Sequence, residues 1–470
     1  MPDDEALHEL VRKLKPVIGT RADQLWIAYL AADDLRDKMQ LAALIQLTAS
    51  KHLTPTVDDE SILLPPPPAW LASAGEFALG TAMYRNKPVG EIKLSRSDLQ
   101  KHTSILAMTG SGKTNVTQVL ILGLLRGKVP FMVVDFKRSY RDLYSLQKQL
   151  PEVANIEVFT VGRSTQAAFQ WNPLRPPPGV PIQTWIKKVS EALERSHVGG
   201  AGSSTIFIRI FHKLFDRMGF FDGTPSMYPN FHDALAIAKL EKPIARELLW
   251  HQSCVRILSS CTYGPSTGAF NSRHPVHLEN LLNRFVVFEV DREMADDART
   301  LFNEILLRWI HLYRLQQGES ETLRHVLCLE EIHNLFKDSK NKDSFAVDPV
   351  ETLFRELRGF GEGIIGITQN PSRIPGYLLA NVQNQVYLGL QGEADIIAAK
   401  RALFLRPGEE RYLDLLDVGE GIVKIKGRIP PCHVRFPRVP VQKGAISDDM
   451  LPKRNDAKGE EDPNGTARLD

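Results

Sequence analysis

Cysteine is scarce in this chain. There are four in 470 residues, Cys254, Cys261, Cys328 and Cys432, and no two have metal-ligand spacing. That excludes a disulfide framework or a zinc ribbon and leaves buried free thiols in a reducing compartment. Long apolar runs are missing too. The longest clear one, "VLILGLL" (119–125), has seven residues, where a bilayer crossing needs about 20. The N-terminus "MPDDEALHEL" is acidic and polar, whereas a secretory signal is basic and then apolar. The expectation is a cytoplasmic protein with no membrane partner. Excess charge of one sign is also absent. Lys plus Arg number 58 against 56 Asp plus Glu, a net charge of +2, so composition neither demands nor excludes nucleic acid. With 43% apolar residues, the chain has enough to build a core.

What is present falls into blocks. Residues 1–62 read as a helical region: Leu7, Leu10, Val11 and Leu14 follow helical spacing, and a second periodic stretch runs from Leu25 to Leu47. Four prolines in "LLPPPPAW" make residues 63–74 a stiff linker. From 75 to 442, short β-branched runs ("FMVVDF", "RFVVFEV", "HVLCLEE", "GIIGITQ", "QVYLGL") alternate with helical stretches. This pattern predicts an α/β fold with a mostly parallel sheet covered by helices on both faces. Residues of about 180–280 are more helical and read as an insertion, within which "HVGGAGSS" is a flexible loop by composition. Residues 443–470 are polar and turn-rich, the pattern of a disordered tail.

The strongest local signal is "SILAMTGSGKTN", Ser104 to Asn115: an apolar strand, a glycine loop and a helix start, in that order. This context separates a phosphate loop from a chance match. Gly110 and Gly112 free the backbone N–H groups of Thr109–Asn115 to turn around phosphates, and the helix N-terminus adds its positive end. Lys113 supplies a point charge to the β/γ-phosphates, and Thr114 a hydroxyl to Mg²⁺. Ser111 belongs to the same cradle. Ala107 stands where the pattern usually has glycine; its single methyl, at the strand end, is expected to be tolerated. ATP and Mg²⁺ are the implied ligands.

Further along, "RHVLCLEEIHNLF" ends an apolar strand in two carboxylates. The first, Glu330, is suited to Mg²⁺ and the second, Glu331, to orienting and deprotonating water. A solvated acidic pair starting a helix is the plainer alternative. In "GIIGITQNPSRIP" the polar strand tip Thr368-Gln369 offers Gln369 as a γ-phosphate sensor, or as an ordinary loop cap. In "FRELRGFG", Arg355 and Arg358 share a helix face and are candidates to neutralise phosphoryl charge from a neighbouring subunit; ordinary surface arginines beside Glu351 and Glu356 are the alternative. Asp135 ends the strand in "VVDFKRSY", and His333 could support the acidic pair or be structural.

These elements in this order resemble the HerA/FtsK branch of P-loop motors, most of all HerA-type DNA translocases, over roughly 77–440. The carrying phrases are "LGTAMYRNKPVGEIKLSRSDLQKHTSILAMTGSGKT", "DFKRSY", "FQWNPL", "LEEIHNLF", "RELRGFGEGIIGITQNPSRIP" and "VGEGIVKI". The family's acidic motif reads Asp-Glu-Ala-His, so Glu331 and His333 match it, while Glu330 departs from its Asp. Arg358 is the better match to its inter-subunit arginine. The resemblance implies a RecA-like core, a hexameric ring that threads double-stranded DNA, ATP hydrolysis at subunit interfaces, and a nuclease or other effector partner. Residues 1–70 lack the family's usual N-terminal barrel, which by analogy suits a specialised version such as one in anti-phage defence. No base-reading motif is legible, and "FKRSYR", "RNKP" and "KIKGR" read as solvated surface; a threading ring needs only backbone contacts. Two alternatives stay open: a nucleotide-dependent scaffold that activates a partner with little hydrolysis, and a secretion or conjugation ATPase.

Overall fold

The computed structural model describes residues 4–53, 61–197, 199–200, 202–223, 227–244, 247–336 and 349–452. Most of the expected tail, from 453 onward, and part of the expected flexible loop at 197–204 lie outside those residues. Contacts divide the chain into two compact units: 1–123 with 368–439, and 124–367 with 440–470. Among the described residues there are eleven strands: β1 Phe77–Tyr84, β2 Lys87–Leu94, β3 Thr103–Leu106, β4 Phe131–Asp135, β5 Ile156–Val161, β6 Phe285–Val290, β7 His325–Leu329, β8 Glu362–Thr368, β9 Asn384–Leu388, β10 Glu420–Ile425 and β11 Ile429–Arg435.

In the first unit, three helices (Asp4–Ile18, Thr20–Ala31 and Leu35–Leu53) pack around Leu7, Val11, Leu14, Ala22, Tyr29, Ala42, Ile45 and Ala49. The expected second helix is broken in two. Asp34 turns its carboxylate back to accept from the Arg36 N–H (3.3 Å), the local bond that draws Asp residues to helix starts. This bundle is bound to the rest of its unit: Arg12 pairs with Glu409 at 2.9 Å, and Arg406 pairs with Glu9. The strands run in the order β2-β1-β11-β10-β9-β3. Only β3 and β9 are parallel, with Ile105 opposite Val386; the other neighbours are antiparallel. Arg85 and Asn86 turn the β1–β2 hairpin with φ of 49° and 58°, the handedness that a two-residue hairpin requires.

The second unit carries the alternating pattern read from the sequence. Its strands run β8-β7-β4-β6-β5, all parallel. Every residue of β4, β7 and β8 is buried, which requires cover on both faces. Between β5 and β6 lie the helices Ile182–Ser196, Ser203–Arg217, Phe231–Leu240 and Glu247–Cys261, within the expected insertion. The parallel expectation therefore describes this unit and the β3–β9 pair, while β1, β2, β10 and β11 add an antiparallel part. All four cysteines are free and buried; burial pushes the Cys254 and Cys432 thiols up to about 12, which makes them unreactive. Among the described residues no helix is long and apolar enough to cross a membrane.

Candidate functional site

The phosphate loop lies in the first unit, between β3 and the start of the helix Lys113–Arg126. The four residues of β3 are buried, and the chain leaves the strand at Ala107. Gly110 and Gly112 have φ of 87° and 107°, a region that a Cβ makes costly. At Gly112 an added Cβ would also stand 3.4 Å from the Gly419 nitrogen. Two bonds close the loop: the Ser111 hydroxyl donates to the Met108 carbonyl (2.8 Å), and the Gly419 N–H donates to the Ser111 carbonyl (3.2 Å). Lys113 is 8% exposed, and its ammonium donates to the carbonyls of Ala107 (2.7 Å) and Met108 (2.8 Å). Ala107 is thus closer to the cradle than its side chain suggests, because its backbone oxygen holds the lysine. Thr114 is half-buried on the first helical turn.

Asn115 has a task that local sequence does not reveal. Its amide donates to the Pro437 carbonyl (2.9 Å) and accepts from the Val439 N–H (2.8 Å), fastening the segment after β11 to the first turn of the phosphate-loop helix. The polar tip Thr368-Gln369 lies beside the loop. The Ala107 N–H donates to the Thr368 carbonyl (3.2 Å), and the Thr109 hydroxyl donates to Gln369 Oε1 (2.5 Å).

The acidic pair follows β7 in the second unit. Glu330 is 3% exposed. Its Oε1 accepts from the Tyr140 hydroxyl (3.1 Å), and its Oε2 is buried with no partner. Asp135, at the end of β4, is fully buried and folds the turn that presents this tyrosine. Its carboxylate accepts from the N–H groups of Lys137 (2.7 Å), Ser139 (2.7 Å) and Tyr140 (3.2 Å). Burial first, and then the Glu330 carboxylate, push the Asp135 carboxyl well above the usual range. Burial likewise pushes Glu330 up, against the pull of Lys137 and Tyr140. Two carboxyls in one buried place cannot both ionise cheaply, so this pair has room for a proton or a cation.

Glu331 stands in the left-handed region, φ 46° and ψ 42°, at a cost of about 1–2 kcal/mol for a residue with a Cβ. That reversal separates the two neighbours: Glu330 is buried, while Glu331 reaches Lys137 Nζ (3.3 Å) and His333 Nδ1 (3.5 Å). Arg355 and Arg358 lie on the helix Pro349–Gly359. Val350, Leu353, Phe354 and Leu357 form its buried side, and both arginines are exposed.

Tyr140 and Lys137 are functional candidates to which sequence reasoning gave no role. Both lie in "DFKRSY", but which carboxylates they meet depends on the adjacency of β4 and β7.

Comparison with known proteins gives a consistent neighbourhood. A domain family described as helicase HerA, central domain, matches residues 77–192. A DNA double-strand break repair helicase HerA from Saccharolobus solfataricus is 22% identical over 362 residues, covering 74% of this chain and 66% of that protein, just under two thirds of its length. Among solved structures, VirB4 of Thermoanaerobacter pseudethanolicus superposes with a TM-score of 0.58 at 16% identity, covering 78% of this chain and 98% of that one. The plasmid coupling protein TrwB in complex with ADP and Mg²⁺ superposes with a TM-score of 0.55 at 13% identity, covering 86% and 98%. At these identities the structural likeness speaks for the fold. The matched segment carries the phosphate loop, so this chain is similar to helicase HerA over that segment and similar in fold to VirB4 and TrwB.

Proposed function

We propose that this chain is an ATP-hydrolysing motor that assembles into a ring, hexameric by analogy, and translocates double-stranded DNA together with a nuclease or other effector protein. The observation that carries this reading is the phosphate loop with Gln369 hydrogen-bonded to Thr109, inside a chain whose 77–192 segment matches a helicase domain. In this reading the N–H groups of Thr109 to Asn115 cradle the phosphates, and Lys113 turns from the Ala107 and Met108 carbonyls to the β/γ-phosphates. Gln369 senses the γ-phosphate through the bond that it now makes with Thr109. Glu331 orients the attacking water and takes its proton. Arg358, with Arg355, neutralises developing charge on the site of a neighbouring subunit.

Thr114 and Glu330 would hold Mg²⁺. The partnerless buried Glu330 Oε2 fits that task, since a cation supplies what no side chain does. When bound, Mg²⁺ neutralises phosphate charge.

The test is ATP hydrolysis by the native chain and by Glu331→Gln, with and without long linear duplex DNA. A DNA-stimulated rate that falls at least about a hundredfold in Glu331→Gln, with nucleotide binding kept, is the expected result. Negligible native turnover with nucleotide-dependent oligomers intact would leave a scaffold instead. Mixing Arg358→Ala with Glu331→Gln subunits tests the shared site; Arg358→Ala assemblies that hydrolyse at the native rate would remove that role. A second reading, a conjugation or secretion ATPase, is favoured by the 98% coverage of VirB4 and TrwB. Turnover indifferent to duplex DNA would turn the choice toward it.

A further inference from the structure

We propose that the cleft between the β10–β11 hairpin and the helix Glu393–Leu403 is a docking site for an acidic, amphipathic segment of a partner protein. The cleft, about 930 Å³, lies wholly in the first unit. It is not the nucleotide site. Lys424 and Ile425 pair with Gln385 and Asn384 at the start of β9, and Asn384 stands beside Thr103 at the start of β3. The phosphate loop leaves β3 at its other end.

Three features define the occupant. The floor is apolar, with Leu379 and Ile429, and the rim adds Ile397 and Phe404, which are 43% and 78% exposed. Phe404 caps the helix at φ 59°, a position that glycine usually fills. A large ring held there, in water, is a costly choice for capping alone and a natural one for contact.

The charged lining residues are all basic: Arg401, Lys424, Lys426 and Arg428. Arg428 is committed, donating to the Leu71, Ala74 and Lys93 carbonyls and to Asp98. Among the described residues no carboxylate pairs with Arg401, Lys424 or Lys426. Lys424 donates to the Ala402 carbonyl (2.7 Å) and lies 3.9 Å from the centre of the Phe404 ring. Burial, and then Lys426, bring its pKa down to about 8, a cost that a neighbouring anion relieves.

The third feature is an orphaned acceptor. Gln385, 4% exposed, lines the cleft. Its amide nitrogen donates to the Leu379 (2.9 Å) and Val382 (3.3 Å) carbonyls, which fixes its orientation, and its Oε1 is left without a partner. The oxygen is itself buried, so a peptide N–H completes it only when the Gln385 side chain turns toward the cleft. Duplex DNA offers phosphates but nothing for the apolar floor. The chain's own residues 453–470 contain one large apolar side chain, Leu469, and so do not match either.

The test pans a random short-peptide library against the full chain with Mg·ADP and measures the enriched peptides by fluorescence anisotropy. Enriched sequences combine Asp or Glu with aliphatic or aromatic residues. The double variant Arg401→Glu/Lys424→Glu weakens them at least about tenfold, and Phe404→Ser weakens them about tenfold, with binding of a fluorescent ADP analogue unchanged as the sign of an intact fold. No enrichment, enrichment without net negative charge, or binding within about threefold in the charge-reversed variant overturns the proposal. So does duplex DNA that displaces the peptide as well as unlabelled peptide does, which would make the cleft a nucleic-acid surface. A variant that loses assembly mass while binding peptide normally would make it a contact between copies, and also overturns it.

Discussion

The residue that decides most at the acidic strand is one that sequence reasoning passed over. Tyr140 is fully buried and gives Glu330 its hydroxyl hydrogen bond at 3.1 Å, while the other Glu330 oxygen has no partner. Tyr140→Phe keeps the ring and its packing and removes the donor, leaving a buried carboxyl with neither oxygen satisfied by that side chain. The expected cost is about 1–3 kcal/mol of stability, read as a lower urea midpoint with an unchanged slope. The same loss lets Glu330 turn and take its proton more readily; on the proposed Mg²⁺ role of Glu330, more Mg²⁺ should then be needed for half-maximal ATP turnover. A variant with native stability and a native Mg²⁺ requirement would show that the bond is idle. Glu331 obeys a different logic. Its left-handed backbone and its contacts with Lys137 and His333 set it apart from its neighbour, so two adjacent glutamates have opposite environments.

At the scale of elements, the phosphate-loop helix is fixed by its own glycines and by a distant segment. Asn115→Ala removes both hydrogen bonds to Pro437 and Val439 and leaves the Val439 N–H without its acceptor. A loss of about 1–2 kcal/mol is expected, together with faster amide exchange at 437–439, measured by hydrogen exchange. Protection unchanged at those residues would mean that β11 holds the segment alone. This clamp also shows where sequence reading stops. The loop was legible because its parts are contiguous: strand, Gly110, Gly112, Lys113. The acidic pair was legible because a buried run ended in Glu330-Glu331. The antiparallel strands β1, β2, β10 and β11 were not, since their pairing joins Thr81 to Arg435 across the length of the chain and no local period records a partner's identity. The break between the helices Thr20–Ala31 and Leu35–Leu53 is accompanied by a local Asp34 bond, which an apolar period spanning both cannot reveal. The same holds for His325 and Glu362, buried polar residues that open β7 and β8 and look out of place until they meet.

That meeting sets how the whole molecule responds to acid. Glu362 is completely buried; its carboxylate accepts from His325 Nδ1 and from Arg314 Nε (2.9 Å). Burial pushes its carboxyl up, but His325 and Arg314 outweigh it and hold it below the usual range. In the same unit Asp448 is held low by Arg141 and Arg163 against its own burial. In the first unit Glu420 is held low by its hydrogen bond to His433, with Arg435 adding to it. A carboxyl depressed in the folded state contributes stability above its unfolded pKa and loses it as pH falls through the folded value. Asp135 and Glu330, both raised by burial, act the other way and favour the folded state as pH falls toward their unfolded values. The three depressed carboxyls then weaken both units below about pH 4.3, where unfolded glutamates begin to bind protons that the folded ones refuse. Glu362→Gln separates the fully buried contribution from those of Asp448 and Glu420. It leaves the Arg314 guanidinium buried without its counter-charge, so stability at neutral pH should drop by about 3–5 kcal/mol. The variant's remaining stability should then decline less steeply in acid, because one proton-linked group is gone. Urea midpoints measured from about pH 7 to pH 3 check both parts. A parallel downward shift, with the acid slope unchanged, would mean that the carboxylate's charge is not what the folded state holds.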